Sequence, residues 1–152
     1  IADAADYHAP HAEERGQTLA TDIAPGLGVH GDPDLLFQAI SNLLDNAIKF
    51  TPKGGRIALS AAASNGGALV TLADNGPGIA PELIASAGER FFRCPAAGDV
   101  PGFGLGLAFV NAVAALHDST LRLSDAGPGL RAEWRLAAGP ARAPGVTAPA
   151  GN

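Results

Sequence analysis

The stretch Gln38-Ala39-Ile40-Ser41-Asn42-Leu43-Leu44-Asp45-Asn46-Ala47-Ile48-Lys49-Phe50 decides how this chain folds. At 3.6 residues per turn Gln38, Asn42, Asp45, Asn46 and Lys49 share an arc of roughly 100°, while Ile40, Leu43, Leu44, Ala47 and Ile48 take the other side. Asp32 is suited to accept bonds from free amides at a helix start, and Pro33 to the first helical position, so one long helix is expected up to Phe50. A solvated face would explain a polar stripe on most amphipathic helices. Water-facing stripes, however, are usually built from Glu, Lys and Arg, and two Asn are poor helix formers. Asn amide oxygens are hard ligands, and magnesium takes few protein ligands beside a nucleotide's phosphates, so carboxamides with a nearby lysine suit a triphosphate-metal site.

Outward from this helix, Lys53-Gly54-Gly55 ends it, and Arg56 to Ala63 and Ala68 to Ala73 read as a hairpin through Ser64-Asn65-Gly66-Gly67. Upstream, Gln17 to Ile23 and a shorter piece near Val29 read as strands around the Pro25-Gly26 turn. Residues 1–16 read as a lead-in from an upstream region, with Pro10 arguing against one unbroken helix. Downstream of the hairpin, Asn75 to Phe103 is rich in Gly and Pro and reads as loop and lid, with a short helical piece at Pro81 to Ala85. A second helix is expected from about Leu105 to Leu116, then strands at Thr120 to Leu123 and Leu130 to Leu136 around Gly127-Pro128-Gly129. The stretch 139–152 is Ala, Pro and Gly with little to bury and is expected to be disordered.

The whole-chain numbers limit what these segments mean. A length of 152 residues, 47% hydrophobic, suits one compact domain. A net charge of −5 with scattered Lys and Arg argues against a nucleic-acid surface. The single Cys94 excludes an internal disulfide and a Cys-based zinc site. No apolar run approaches the roughly 18 residues of a spanning helix, so the piece is not expected to be membrane-embedded; it is also expected to be monomeric. A chain opening on Ile1 reads as a processed product or an excised fragment, whose remainder could carry a membrane anchor.

Two further constellations carry chemistry. Asp74-Asn75-Gly76-Pro77-Gly78-Ile79 follows a strand: a carboxylate fixed there can accept from an exocyclic amine, and the glycines let backbone pass close to a planar ring. A tight turn with a local Asp bond is the competing reading. Gly102-Phe103-Gly104-Leu105-Gly106-Leu107 opens the second helix, where free amides and the helix dipole favour a phosphate, although helix packing alone is also compatible with the glycines. It is not a P-loop, since no Gly-Lys-Ser/Thr follows.

In this order and spacing the segments resemble the nucleotide-binding boxes of sensor histidine kinases. These belong to the Bergerat-fold (GHKL) ATPase/kinase superfamily, shared with type II topoisomerases, MutL-like repair proteins and heat-shock chaperone ATPases. Asn42 to Phe50 looks like the N box and Asp74 to Gly78 like the first glycine box. Glu89-Arg90-Phe91-Phe92-Arg93 is similar to the F box and Gly102 to Leu107 to the second glycine box. The resemblance implies a two-layer α/β sandwich, a mixed, mostly antiparallel sheet of about five strands packed on about three helices, with residues 17–138 as the catalytic domain. It further implies that Asn46 coordinates Mg2+, that Asn42 supports metal and phosphates, and that Lys49 contacts phosphate. Phe50 would lie against the nucleotide, and Asp74, with Gly76 and Gly78, would meet the adenine of ATP. Ile79 and Leu107 would line the adenine pocket, Gly102, Gly104 and Gly106 would offer backbone beside the phosphates, and Arg90 or Arg93 would approach the terminal phosphate. Phe92 and Leu105 join the nucleotide set, although pure packing competes for them and for Phe91, as a surface charge does for Arg90. Phe103 stands where Thr or Ser is commoner, Asp118-Ser119 where a Gly pair usually follows the counterpart of His117, and the lid from Cys94 to Pro101 is short.

Hydrolysing members of the superfamily carry a glutamate one turn before the magnesium asparagine. Asn42 occupies that position here and cannot serve as a general base, which favours transfer to an external acceptor. None of His8, His11, His30 and His117 sits in the family's His-Glu-x-x-Thr/Ser-Pro phosphoacceptor context. The implied partners are therefore the dimerisation and histidine-phosphotransfer domain of the same parent protein and, downstream, a response regulator, all in the cytoplasm. A degenerate nucleotide-binding interaction module and an anti-sigma-type serine kinase are the alternatives.

Overall fold

The computed structural model describes residues 1–94 and 103–139. Among the described residues four helices and five strands follow one another as α1 (Ala2–Glu14), β1 (Thr18–Ile23), α2 (Pro33–Phe50), β2 (Arg56–Ser64), β3 (Gly67–Asp74), α3 (Pro81–Ile84), α4 (Gly106–Leu116), β4 (Leu121–Asp125) and β5 (Leu130–Ala137). The strands form one sheet in the order β1-β2-β3-β5-β4. β1 and β2 run parallel, which requires a crossover, and α2 supplies it; the remaining pairs are antiparallel. The two-layer mixed α/β sheet expected from the resemblance is what the chain forms.

Alternation sets the inner face of the sheet. Ile57, Leu59 and Ala61 of β2, Val70 and Leu72 of β3, and Ala132, Trp134 and Leu136 of β5 are buried, with polar or small residues between them facing out. The register stacks these into a row across the sheet, Ala61 opposite Val70, Val70 opposite Trp134, and Trp134 opposite Leu121. Trp134 is fully buried, and its indole N–H donates to Ser119 Oγ at 2.6 Å. Against this face α2 lays Ala39, Ile40, Leu43, Leu44, Ala47 and Ile48. Burying each of the larger of these side chains contributes about 1.5–3 kcal/mol.

The start of α2 follows from its sequence. Asp32 Oδ1 accepts from the amides of Asp34 and Leu35, both at 2.9 Å, and Pro33 occupies the first turn. The expectation that Pro10 would interrupt the first helix fails: α1 runs unbroken across it. An interior proline costs about 3 kcal/mol, and here Pro10 lies on the exposed side while Ala4, Ala5, His8 and Ala12 are buried. Ala4, Ala5 and Ala12 belong to the same core as α2 and the sheet, so tertiary burial outweighs local propensity.

Near Val29 there is a single bridge to Ala138 rather than a strand. The predicted disordered tail lies outside the described residues except for Gly139, whose amide donates to Gly28 O at 3.1 Å. Lid residues 95–101 and Gly102 also lie outside them. Among the described residues no helix is long and apolar enough to cross a membrane.

Candidate functional site

The polar stripe of α2, the end of β3 and the start of α4 meet around a cavity of about 290 Å³. Asn42, Asn46, Lys49 and Phe50 line it from α2. The Asn42 amide nitrogen donates to Gln38 O at 2.9 Å, one turn back, and its oxygen faces the start of α4. A Cβ on Gly106 would stand 3.3 Å from Asn42 Oδ1 and 3.2 Å from Asn46 Nδ2, so glycine at this position lets the helix end approach both carboxamides. Among the described residues no side chain caps α4, so its first amides can face an anion at the positive end of the helix. Lys49 Nζ is paired with Asp45 Oδ2 at 2.6 Å, and Asp45 also lines the cavity.

Asp74 stands at the end of β3. One carboxylate oxygen, Oδ1, accepts from Gly76 N at 2.8 Å and Leu130 N at 3.4 Å. Burial raises its pKa, and these two amides oppose the rise. The anchored oxygen fixes the direction of the other, which is left to meet a donor in the cavity. Gly76 is buried beneath this turn, as its role as a donor to Asp74 requires. Gly78 takes φ +69 and lies against Gly129. Asn75 is occupied structurally: its Oδ1 accepts from Arg56 N at 2.7 Å, tying the loop to the hairpin.

Ile79, Phe92, Arg93, Gly104, Leu105, Gly106 and Leu107 also line the cavity, which brings together most of the residues expected from sequence. Arg90 does not; it is exposed and outside the lining. Phe91 takes φ 64, its amide donates to Gly104 O at 3.0 Å, and the residue is 72% exposed. This left-handed residue turns the chain, so that Phe92 and Arg93 line the cavity while Arg90 and Phe91 point out. Of the two arginines expected near the terminal phosphate, Arg93 lines the cavity and Arg90 does not.

Sequence reasoning missed the back wall. Leu72 of β3 and Leu130 and Ala132 of β5 close the cavity from the sheet. Gly129, at φ +103, packs so tightly on the backbone of Asp74 and Asn75 that no Cβ would fit. The signal available was the Gly127-Pro128-Gly129 turn, which read only as a turn.

Residues 31–140 match the family described as histidine kinase-, DNA gyrase B- and HSP90-like ATPase. The chain belongs to this family. Among its relatives, the signal transduction histidine-protein kinase/phosphatase MprB of Mycolicibacterium vanbaalenii is 45% identical over 102 residues, 66% of this chain and 21% of that protein. The solved mycobacterial sensor histidine kinase MprB superposes with a TM-score of 0.82 at 33% identity, covering 91% of this chain and 96% of that one. Full-length ShkA, solved in complex with AMPPNP, superposes with a TM-score of 0.74 at 31% identity, covering 93% of this chain and 30% of that one. The chain thus spans about a fifth of the curated MprB relative, and its match to the solved MprB is nearly end to end.

Proposed function

We propose that this chain is the ATP-binding catalytic domain of a two-component sensor histidine kinase, which transfers the γ-phosphate of ATP to a histidine on a separate dimerisation domain. The observation that carries the reading is the approach of Gly106, at the open end of α4, to the carboxamides of Asn42 and Asn46. Free amides, two hard oxygen donors and Lys49 converge there, while Asp74 waits at the other side with an oriented carboxylate. A triphosphate fits the first group and an exocyclic amine the second. The AMPPNP complex of ShkA supports a nucleotide as the occupant.

Magnesium fits the donor set. No group of three His, Cys, Asp or Glu side chains among the described residues is arranged to grip a metal alone, whereas magnesium beside phosphates needs only one or two protein oxygens. Asn46 would hold it and Asn42 would support it; bound there, the ion would offset negative charge on the phosphates. The protein's own part is positional. Asp74 orients the base, the α4 amides and Lys49 hold phosphate oxygens, and Arg93 from the lid base offers charge toward the terminal phosphate. Asn42, standing where a general base would be needed to activate water, leaves the phosphoryl group for an external acceptor.

The partners in this reading are the dimerisation and phosphotransfer domain of the same parent protein and a downstream response regulator. Residues 17–138 act as the catalytic unit and α1 as its link to the upstream region, in the cytoplasm. The test mixes this chain with a separately made dimerisation and phosphoacceptor domain of the parent and Mg-ATP. Acid-labile phosphate on histidine is expected, and ATP binding without transfer would instead mark a non-catalytic nucleotide-binding module.

A further inference from the structure

Asp45 stands at a seam of α2. On one side of it lies the stripe of Asn42, Asn46 and Lys49; on the other lie Phe37, Ser41, Leu44 and Ile48. That second stripe turns toward α1, where the rings of Tyr7 and Phe37 meet edge to face at 6.2 Å between centroids. Further along, an Arg15 amine donates to Lys49 O at 3.4 Å, so α1 follows α2 down to the phosphate end of the cavity.

His8 lies on the buried side of α1, between these two contacts with α2. It is only 6% exposed, and its Nε2 is buried without a hydrogen-bond partner. Ser41 Oγ, on the facing stripe one turn before Asp45, is likewise buried and unpartnered. Burial lowers the pKa of His8; of the charged groups around it, Asp45 on α2 acts against that shift and His11 on its own helix adds to it. The ring is therefore held neutral near neutral pH, with one nitrogen a donor. A buried polar atom left unmatched costs free energy, and the contacts of the His8 ring with Tyr7 and His11 leave its Nε2 without a hydrogen-bond partner.

We propose that His8 is a positioning residue, the alternate partner of Asp45: when Lys49 turns from Asp45 to the phosphates, the Asp45 carboxylate accepts a hydrogen bond from the His8 imidazole. This rests on the assignment of the phosphates to the Lys49 end of the cavity. Without nucleotide, Lys49 neutralises Asp45 across the 2.6 Å pair. Once Lys49 is drawn to phosphate, a bare carboxylate beside a triphosphate would repel it. His8 gives that carboxylate a donor on the side away from the nucleotide, so the lysine is released at a smaller cost.

The test is a titration with Mg-ATP of the wild type, His8→Leu, His8→Gln, Asp45→Asn and the double variant His8→Leu/Asp45→Asn, with the melting temperature of each. A merely structural role predicts that His8→Leu, which removes an unmatched buried polar atom, melts at or above the wild type and binds ATP equally well. Alternate pairing predicts the same melting behaviour with ATP affinity about tenfold weaker. It also predicts that His8→Gln, which keeps a donor, recovers most of the loss, and that the loss vanishes in the Asp45→Asn background. Should His8→Leu not fold, His8→Phe keeps the ring shape and makes the same comparison. Unchanged affinity in the folded apolar variant, or a loss that persists undiminished with Asp45→Asn, overturns the proposal. Failure of the wild type to bind Mg-ATP overturns the nucleotide reading itself, and the role of His8 with it.

Discussion

Asn46 Nδ2 lies 3.2 Å from the place where a Cβ on Gly106 would stand, and Asn46 Oδ1 lies 3.5 Å from it. This contact joins the polar stripe of α2 to the open end of α4, which are 60 residues apart in sequence. Gly106 carries no positive φ, so alanine there suits the helix, and the nearest obstacle is the pair of carboxamides. Gly106→Ala is expected to melt within about 2 °C of the wild type while binding Mg-ATP about fivefold or more weakly. Calorimetry with and without nucleotide measures both quantities, and a parallel loss of stability and affinity would place the strain elsewhere.

Asp74 gives a prediction with a sign. Burial raises its pKa above the ordinary 3.8 in the folded protein, so the folded state holds this proton more tightly than the unfolded chain. The stabilising contribution is complete below the unfolded pKa and is lost as pH rises through the raised folded value. At neutral pH the ionised carboxylate therefore burdens the nucleotide-free fold. Asp74→Asn keeps an acceptor for the amides of Gly76 and Leu130 and should melt about 1–4 °C above the wild type at pH 7, the gap closing as pH falls. The same variant sets an amide N–H against the adenine amine, and its ATP affinity is expected to drop at least about tenfold. Melting curves from acid to neutral pH, paired with ATP titrations at pH 7, check both directions.

Gly129 is needed for shape. Its φ of +103 and the absence of room beside Asp74 make Gly129→Ala strained in two ways, at a cost of about 1–3 kcal/mol for the backbone alone. Stability and ATP affinity should fall together, because the displaced backbone is that of Asp74. Denaturant unfolding reads the first and nucleotide titration the second; a loss of stability with intact affinity would detach Gly129 from the site.

His117 offers the opposite case. Its Nδ1 lies 2.7 Å from Val113 O and its Nε2 accepts from Asp32 N at 3.1 Å, which ties the end of α4 to the cap of α2. His117→Ala is expected to cost about 1–3 kcal/mol and to leave ATP affinity unchanged, since the residue lies outside the nucleotide cavity. Chemical denaturation and ATP titration of the same sample separate the two effects.

Sequence carried the local features well and the distant ones poorly. The Asp32-Pro33 start of α2, the hairpin at Asn65-Gly66 and the carboxamide arc are each written within a few residues, and each is present. The continuity of α1 through Pro10 was hidden because it depends on burial against α2, which no local pattern states. Leu72, Leu130 and Ala132 alternate as core residues should, but alternation marks a face and not the end of the strand that closes a cavity. Gly129 needed the neighbouring order of β3 and β5 before its contact with Asp74 could be known. Within the F box, the backbone turns at Phe91 through a positive φ, of which a phenylalanine gives no warning, before Phe92 and Arg93 reach the cavity.

The most direct measurement of the central claim is isothermal titration of the purified chain with Mg-ATP, repeated for Asn46→Ala and Asp74→Ala and in the absence of magnesium. Saturable binding to one site is expected, weakened by removal of the metal and strongly reduced in both variants while they remain folded. Affinity equal to the wild type in folded Asn46→Ala or Asp74→Ala would contradict it.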